Sequence, residues 1–315
     1  MMPFMPTPEL LTPTADHTTG SISDIPADWA GLWLQMLQAR QGERHPLLRH
    51  TVQAGWTLQG PSSSRSQDLF AAYKPLLDAR ARDEGHPWVV AQLGQSLDGF
   101  VATVTGDSYY VNGAHGLLHL HRLRALCDAV VVGAGTVATD NPQLTTRRVP
   151  GPSPVRVVMD PSAGLDGRSR VFRDGQSPSL WVCDARHADA ARDRLHNAPA
   201  SAQVLAVEGL LDERNPAACY RAGRAVEALG AQGLRLLFVE GGGVTVSRFF
   251  AARALHRLHL VVAPVLIGNG RRGLQVPAHD VMAECSRPPA NTLHLGEDLL
   301  WDLDLGGQGQ ASTSV

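Results

Sequence analysis

Apolar residues follow two different patterns along the chain. From Trp88 onward, short apolar runs alternate with stretches whose apolar residues recur at helical spacing. This alternation is typical of a mainly parallel sheet covered by helices, and it predicts an α/β fold. The predicted strands are 89–93, 129–132, 155–160, 180–184, 204–207, 234–239 and 258–266, and the predicted helices are 114–126, 187–196, 216–229 and 245–255.

The end of the chain has the two-residue period of a strand. Trp301 and Leu303 alternate with Asp302 and Asp304 after a turn signal at 296–298. The apolar pair is expected on the buried face and the two carboxylates on the other face. We therefore expect a C-terminal antiparallel hairpin that closes the sheet.

The first 86 residues are rich in Pro, Thr and Ser, yet they contain helical signals. Asp28 is predicted to cap a helix whose apolar stripe falls at i, i+3, i+4, i+7 and i+8. A second helix is predicted over 67–82. The first stripe is expected to pack on the main domain or on a partner subunit, and a membrane-surface helix is the alternative. The predicted organisation is a helical or linker extension over 1–86, a main domain over 87–306 and a disordered tail over 307–315.

Composition and charge exclude several classes of protein. The chain has 315 residues, 43% of them hydrophobic and 18% charged, with a formal net charge of −2. This balance argues against a disordered chain and against binding of nucleic acid through overall charge. No apolar run reaches the ~18 residues that a membrane span needs. The first residues lack a secretory pattern and the four cysteines are isolated, so we expect reduced thiols and a cytoplasmic location.

Two segments that follow predicted strands carry candidate chemistry. Ser96-Leu97-Asp98-Gly99 is read as an ordinary turn, with Gly99 at positive φ and Asp98 bonding nearby backbone. The second segment, 133–138, has the form G-x-G-x-x-A, and Asp160 ends the next predicted strand, so a Rossmann dinucleotide site is one interpretation. Pro142 restricts the helix after these glycines to about one turn.

The third segment is Glu240-Gly241-Gly242-Gly243, followed by a predicted helix with Thr245 as its cap. Free backbone N–H groups at a helix start form a cradle for an anion such as a pyrophosphate. Three consecutive glycines each lose roughly 0.5–1 kcal/mol of conformational freedom in ordered structure, so close approach of a ligand explains them better than packing does.

These three segments occur in order together with 140–145 and 263–268, and the set resembles a known family. Residues 88–275, about 60% of the chain, are similar to the reductase domain of the bacterial riboflavin-biosynthesis deaminase-reductase and its stand-alone relatives. The resemblance implies a dihydrofolate-reductase-like fold, a homodimer, and NADPH-dependent reduction of 5-amino-6-(5-phosphoribosylamino)uracil. The coenzyme would carry the hydride while the protein aligns it with the substrate.

The resemblance also implies site residues. The residues that correspond to coenzyme contacts are Gly94, Tyr110, Thr136, Asp140, Gly242, Gly243, Val244, Thr245, Val246, Ser247 and Arg248. The residues that correspond to substrate contacts are Ser108, Arg124, Leu144, Arg147 and Glu240. The two arginines suit the 5-phosphate, Glu240 suits the N–H donors of a pyrimidine, and Asp140 and Glu240 are the predicted catalytic residues.

Three positions depart from the family pattern. Tyr110 stands where some members have tryptophan, and Gln92 stands where some have lysine, so Asp140 or bound water would have to deliver a proton. Pro161 replaces a serine expected near the coenzyme 2′-phosphate, which leaves the choice between NADPH and NADH open. A related reductase of another pyrimidine or of a pterin is therefore an alternative function.

The sequence lacks the His-x-Glu and Pro-Cys-x-x-Cys motifs of a zinc deaminase. His115 and His119 are spaced like a metal pair with His121 nearby, but no third ligand is evident, and no metal site is predicted. A non-catalytic nucleotide-binding scaffold is a further alternative, against which Asp140 and Glu240 both speak.

Overall fold

A computed structural model describes residues 27–43, 46–82, 84–108, 111–211 and 220–306. Its helices are α1 Ala27–Ala39, α2 Ser64–Arg82, α3 Ala114–Leu126, α4 Ala134–Asp140, α5 Arg170–Arg173, α6 Ala188–Arg194, α7 Ala222–Ala231 and α8 Gly243–Ala251. Its strands are β1 Leu48–Thr51, β2 Gly55–Leu58, β3 Trp88–Ser96, β4 Phe100–Thr103, β5 Ala129–Gly133, β6 Val155–Met159, β7 Ser179–Asp184, β8 Ala202–Val207, β9 Leu236–Glu240, β10 Arg257–Ala263, β11 Gly270–Arg272, β12 Ala290–Leu295 and β13 Asp298–Asp304.

The central sheet has nine strands in the order β12-β13-β10-β3-β9-β5-β6-β7-β8. The seven strands from β10 to β8 pair in parallel, which confirms the predicted α/β fold. Strands β12 and β13 form the predicted C-terminal antiparallel hairpin and add to one edge of the sheet. Because neighbouring parallel strands end at the same edge, the segments after β5 and β9 are brought together.

The sheet is covered by apolar side chains on both faces. One core, on the face of α3, joins Val90, Val130 and Phe238 to Leu123 and also to Trp29 of α1. The other core, on the face of α7 and α8, contains Val89, Val131 and Phe249 among others. The described part of the N-terminal extension therefore packs on the α3 face of the sheet, as the apolar stripe of α1 predicted.

Three predicted helix boundaries are wrong. Helix α1 already includes Asp28, so Asp28 is not its cap. Helix α8 begins at Gly243 with Gly242 as its N-cap, and Thr245 lies inside the helix and is buried. The helix after 133 has seven residues, longer than the single turn expected, and ends where Asn141 adopts the left-handed conformation with φ of 41°.

The two faces of β13 are the reverse of the prediction. Trp301 is 41% exposed, whereas Asp302 is only 4% exposed. Asp302 is buried because Arg257 on the adjoining strand donates two hydrogen bonds to its carboxylate, Nε–Oδ1 at 2.6 Å and Nη2–Oδ2 at 2.8 Å. An alternation pattern assigns a charged side chain to solvent, and it cannot detect a buried ion pair made with another strand.

Candidate active site

The corners after β5 and β9 lie side by side. Val131 and Val239 are register partners in these parallel strands, so both chains leave the sheet at one edge. A side-chain carbon added to Gly241 would lie 3.7 Å from Thr136 Oγ1, and one added to Gly242 would lie 3.9 Å from it. The 133–140 bend and the glycine corner therefore face each other across one edge of the sheet.

The three consecutive glycines have different surroundings. At Gly241 and Gly242, the space of an added side-chain carbon is in ordinary contact range of Thr136 Oγ1 and of no closer atom. At Gly243 that carbon would lie 2.1 Å from the carbonyl oxygen of Gly273. Packing against the backbone explains the third glycine. The positive φ of 158° at Gly241 favours glycine by itself, and close approach of a ligand remains the explanation for Gly242.

Helix α8 presents its predicted coenzyme residues differently. Val244 is 55% exposed, whereas the side chains of Thr245 and Val246 are buried. Ser247 Oγ accepts a hydrogen bond from the backbone N–H of Gln275 at 2.8 Å. The Arg248 guanidinium lies 5.2 Å from the ring centroid of Tyr220. Val246 belongs to the core, so any coenzyme contact at this position would use the backbone.

Glu240 ends β9 and is bound by Arg124 of α3. Arg124 donates from Nε to Oε2 at 2.7 Å and from Nη2 to Oε1 at 2.6 Å, and its Nη1 donates to the carbonyl of Thr145 at 3.0 Å. The side chains are only 7% and 15% exposed. Gln92, the register partner of Glu240 on β3, is buried, and its Oε1 has no hydrogen-bond partner within the described chain. A carboxylate, a guanidinium and an amide thus lie together at this edge.

Positive charge accumulates beside this pair. Burial and the neighbouring charges of Arg124, Arg170 and Arg148 lower the pKa of Arg147. Burial, together with Arg124, Arg147 and Arg148, lowers the pKa of His121 to about 3, so this ring stays neutral. His121 Nδ1 accepts from the backbone N–H of Arg147 at 3.1 Å. The cluster suits a bound anion.

Sequence reasoning found Arg124 and Arg147 but missed Arg148 and Arg170. Arg148 could have been suspected, because it adjoins Arg147 in the chain. Arg170 is brought near by tertiary structure, where its backbone N–H donates to Asn141 Oδ1 at 2.8 Å. No local sequence pattern predicts this contact between Arg170 and Asn141.

Asp140 ends α4, and its side chain is exposed at the rim of the same edge. Partial burial by the surrounding protein raises the pKa of its carboxyl, and the positive charge of Arg271 opposes the shift. A carboxyl with a raised pKa retains its proton to a higher pH, which suits a proton donor. Arg271, on β11, was not among the predicted site residues.

The remaining predicted residues fall in several environments. The position where Gly94 would carry a side chain is filled by Asn112, whose Oδ1 would lie 1.6 Å from an added carbon. Ser108 is exposed. Leu144 has a buried side chain and a left-handed backbone with φ of 59°, so a ligand could reach only its backbone. Tyr110 lies outside the described residues.

The Ser96-Leu97-Asp98-Gly99 segment is the structural turn that the sequence predicted. Gly99 has φ of 85°. The Asp98 carboxylate accepts from Ser96 Oγ at 2.5 Å and from the backbone N–H of Gly268 at 2.6 Å. Asp98 thus ties the loop after β3 to the loop after β10. Asp160, on which the Rossmann interpretation depended, instead accepts two backbone N–H groups, those of Gly164 and Leu165.

Within the described ranges, no cluster of three His, Cys, Asp or Glu side chains is arranged to hold a metal ion. No described helix combines the length and apolar character required to cross a membrane. A separate cavity of about 180 Å³ lies at the opposite, amino end of the strands, lined in part by Arg80, Arg235 and His256.

This parallel sheet, with a glycine-lined edge next to a buried carboxylate–guanidinium pair, has the dihydrofolate-reductase-like fold. The sequence pattern of the RibD C-terminal domain matches residues 87–286, and the chain belongs to that family.

Named relatives agree with this assignment. The chain is 30% identical over 227 residues to the 2,5-diamino-6-ribosylamino-4(3H)-pyrimidinone 5′-phosphate reductase of Methanothermobacter thermautotrophicus, covering 70% of this chain and 99% of that protein. It is 33% identical over 187 residues to the riboflavin biosynthesis protein RibD of Bacillus amyloliquefaciens, covering 59% of this chain and 47% of that one. The chain thus spans the archaeal reductase but about half of this RibD protein.

Solved structures show the same fold. The deaminase/5-amino-6-(5-phosphoribosylamino)uracil reductase of Thermotoga maritima matches with a TM-score of 0.56 and 22% identity, covering 75% of this chain and 59% of that one. The riboflavin biosynthesis reductase of Saccharomyces cerevisiae matches with a TM-score of 0.56 and 17% identity, covering 75% of this chain and 99% of that one.

Proposed function

We propose that this protein is an NADPH-dependent reductase of a phosphoribosylamino-pyrimidine in riboflavin biosynthesis. The observation that carries the proposal is the adjacency of two features at one sheet edge, the open glycine corner beside Thr136 and the Arg124–Glu240 pair on β9 and α3. A two-part coenzyme and a sugar phosphate require neighbouring sites of these two kinds.

The coenzyme side of this edge fits a nicotinamide dinucleotide. Gly241 and Gly242 leave the space of two side chains open next to Thr136, and helix α8 begins directly after this space, at Gly243. Free backbone N–H groups at a helix start suit a pyrophosphate. When bound, the coenzyme supplies the hydride. The residues that would hold it are Thr136, Gly241, Gly242 and the first turn of α8.

Charged side chains form the proposed substrate side of this edge. Glu240, oriented by Arg124, is placed to accept N–H donors of a pyrimidine, and the cluster of Arg147, Arg148 and Arg170 is placed to bind the 5-phosphate. Asp140 is proposed to hold the proton that the reduced product requires. Glu240 binds and orients, whereas Asp140 moves a proton.

Two pyrimidines are candidates. The resemblance favours 5-amino-6-(5-phosphoribosylamino)uracil. The archaeal relative, which this chain covers over 99% of its length, favours the 2,5-diamino-pyrimidinone analogue. We would measure oxidation of NADPH with each compound and compare kcat/KM. Turnover of either compound supports the proposal, and the larger kcat/KM identifies the substrate. Coenzyme binding without turnover of either compound would favour another pyrimidine or a pterin, and absence of coenzyme binding would favour a scaffold.

Coenzyme preference is proposed to be for NADPH, and Pro161 is the position that tests it. Pro161 follows β6 at the same edge of the sheet, and its carbonyl accepts the backbone N–H of Asp184 at 2.9 Å. Titration with NADPH and NADH, repeated on Pro161→Ser, compares the two coenzymes directly. A wild type that binds NADH as tightly as NADPH would contradict this preference.

A homodimer is proposed on the family resemblance. Light scattering of the purified protein should then give twice the monomer mass of 33.7 kDa. A mass equal to that of one chain at working concentration would contradict the proposal.

A further inference from the structure

A chain of buried polar groups connects the N-terminal helices to the central sheet. Tyr73 of α2 places its hydroxyl 2.6 Å from Nδ1 of His119 on α3. His119 Nε2 lies 2.9 Å from Nδ1 of His259 on β10. His259 Nε2 lies 3.2 Å from Oδ1 of Asp302 on β13. Tyr73, His119 and His259 are fully buried and Asp302 is 4% exposed.

The protons in this chain can be assigned from its charged end. Burial alone would raise the pKa of Asp302, but the neighbouring His259 and the Arg257 guanidinium outweigh burial and hold that pKa well below its ordinary value. Asp302 is therefore an acceptor. Nε2 of His259 lies 3.2 Å from its Oδ1 without the angles of a hydrogen bond, and the Nε2–H form of His259 is the one that this carboxylate favours. His259 Nδ1 is then an acceptor for His119 Nε2–H, and His119 Nδ1 is an acceptor for the Tyr73 hydroxyl. In this assignment the donor of each contact lies on the Tyr73 side and the acceptor lies on the Asp302 side.

Both nitrogens of the His119 ring are engaged in this arrangement, Nδ1 by the Tyr73 hydroxyl and Nε2 by His259. Burial and the neighbouring His259 and Arg122 hold the pKa of His119 well below its ordinary value. The four buried side chains from Tyr73 to Asp302 therefore form a directional series of contacts, and each contact restricts the orientation of the next ring.

The buried polar groups are connected to the Arg124–Glu240 pair through α3 and the sheet. His259 is the register partner of Gln92, and Gln92 is the register partner of Glu240, so these three side chains form one row on the α3 face. Helix α3 contacts this row at both ends, through His119 to His259 and through Arg124 to Glu240. Gln92 lies between the two contacts. A shift of α3 at His119 would therefore move Arg124 relative to Glu240.

The N-terminal helices hold α3 at a second point. The guanidinium of Arg122, on α3, lies 4.9 Å from the ring centroid of Trp29 on α1. The Tyr73 ring packs between Trp29 and Trp33, with centroids 6.2 and 6.0 Å away. These contacts keep the Tyr73 hydroxyl in place against His119. An apolar α2 side chain would pack here equally well, so burial does not explain the hydroxyl.

We propose that Tyr73 is a positioning residue of the reductase site, acting through His119 and α3 on the placement of Arg124 against Glu240. The inference rests on the proposed function, and it assigns to the N-terminal helices a part in substrate binding. Tyr73 touches neither substrate nor coenzyme.

The test compares Tyr73→Phe with a matched variant at the far end of the same interface. Phe keeps the ring packing and removes the hydroxyl. Arg80→Gln is the control, because Arg80 of α2 also joins the extension to the domain, through the Asp128 carboxylate at the amino end of the sheet. We expect Tyr73→Phe to raise KM for the pyrimidine about fivefold with kcat and coenzyme Kd within about twofold of wild type. Arg80→Gln should leave all three unchanged.

A double-mutant cycle identifies the route of the effect. If Tyr73 acts through Arg124, then Tyr73→Phe in an Arg124→Lys background should change the affinity for the pyrimidine less than about twofold. An undiminished effect in that background would overturn the inference, because it would mean that Tyr73 influences binding by another route. Denaturation of each variant reports the loss of stability separately.

Hydrogen exchange tests the same proposal without turnover. Tyr73→Phe should speed exchange of the amides of residues 120–124, and Arg80→Gln should not. Unchanged exchange in this segment would overturn the inference whichever pyrimidine the wild type reduces. Absence of turnover by the wild type with faster exchange in Tyr73→Phe would count against the proposed substrate alone.

Discussion

Arg124 and Glu240 are joined by two hydrogen bonds between side chains that solvent scarcely reaches, at 2.6 and 2.7 Å. The family resemblance implied that both residues contact the substrate directly. In the structure the guanidinium first orients the carboxylate and is itself fixed by the carbonyl of Thr145. A carboxylate held in this way presents its remaining lone pairs in a set direction, which is what recognition of a flat heterocycle needs.

Glu240→Gln is therefore predicted to weaken pyrimidine binding about tenfold or more, with coenzyme Kd within about threefold. The amide has one acceptor oxygen instead of two and leaves the Arg124 charge without its partner, so the variant should also unfold at lower temperature. Calorimetric titration of substrate and coenzyme separates the two affinities. Glu297→Gln, at an exposed turn, is the control. Equal weakening of both ligands would contradict the role assigned to Glu240.

Adjacent glycines in the same corner should respond in opposite ways. Gly242→Ala places a methyl group 3.9 Å from Thr136 Oγ1, an ordinary contact, so stability should change by less than about 1 kcal/mol. The same methyl group occupies space proposed for the coenzyme, and coenzyme Kd should rise about tenfold.

Gly243→Ala instead places a methyl group 2.1 Å from the carbonyl oxygen of Gly273. That clash should reduce the free energy of unfolding by about 1–3 kcal/mol or more. Denaturant unfolding and coenzyme titration of the two variants form one experiment. Loss of stability in Gly242→Ala, or unchanged coenzyme binding there, would contradict the division between an open and a packed glycine.

Periodicity predicted the sheet because its inner strands bury nearly continuous apolar runs, as β5 and β9 do. Positions such as Val130 and Val131 face opposite cores, so the whole run is apolar. The same logic failed at Asp302, where burial depends on Arg257 of another strand. It also failed at Thr245, since a threonine near a helix start is a common cap but here packs against Gly133.

The candidate site was predictable where glycines and charges are contiguous in the chain, as at 240–243. It was not predictable where separate elements converge. The pairing of Arg124 with Glu240 joins residues 116 positions apart. Arg271 influences Asp140 only because β11 pairs with β4 beside that edge. The Tyr73–His119 bond joins a segment that local composition had set apart from the main domain.

Asp98 provides a prediction about stability and pH. The Ser96 hydroxyl, together with the backbone N–H groups of Gly268 and Ile267, lowers its pKa to about 2. An unfolded aspartate titrates near ~3.9, so the folded state binds protons less readily. The stabilisation is complete above that pH and is lost as pH falls from about 4 toward 2.

Asp98→Asn should therefore be less stable than wild type at pH 7, with the difference shrinking as pH falls through this range. Thermal unfolding from pH 7 to pH 2 measures it. Asp189→Asn, at a side chain 96% exposed, is the control. A difference between wild type and Asp98→Asn that is the same at every pH would show that the charge of Asp98 does not contribute.

Asp140 and Arg271 link pH to activity. A proton donor works in its protonated form, so kcat should fall as pH rises through the pKa of Asp140, which partial burial raises and Arg271 opposes. Arg271→Gln removes the opposing charge, and the falling limb should move toward higher pH. Arg272→Gln is the matched control, because the Arg272 guanidinium instead lies 5.3 Å from the ring centroid of Phe100.

Asp140→Asn should remove the falling limb of the pH profile and most of kcat. A limb that moves toward lower pH in Arg271→Gln, or that persists in Asp140→Asn, would assign the proton to another group.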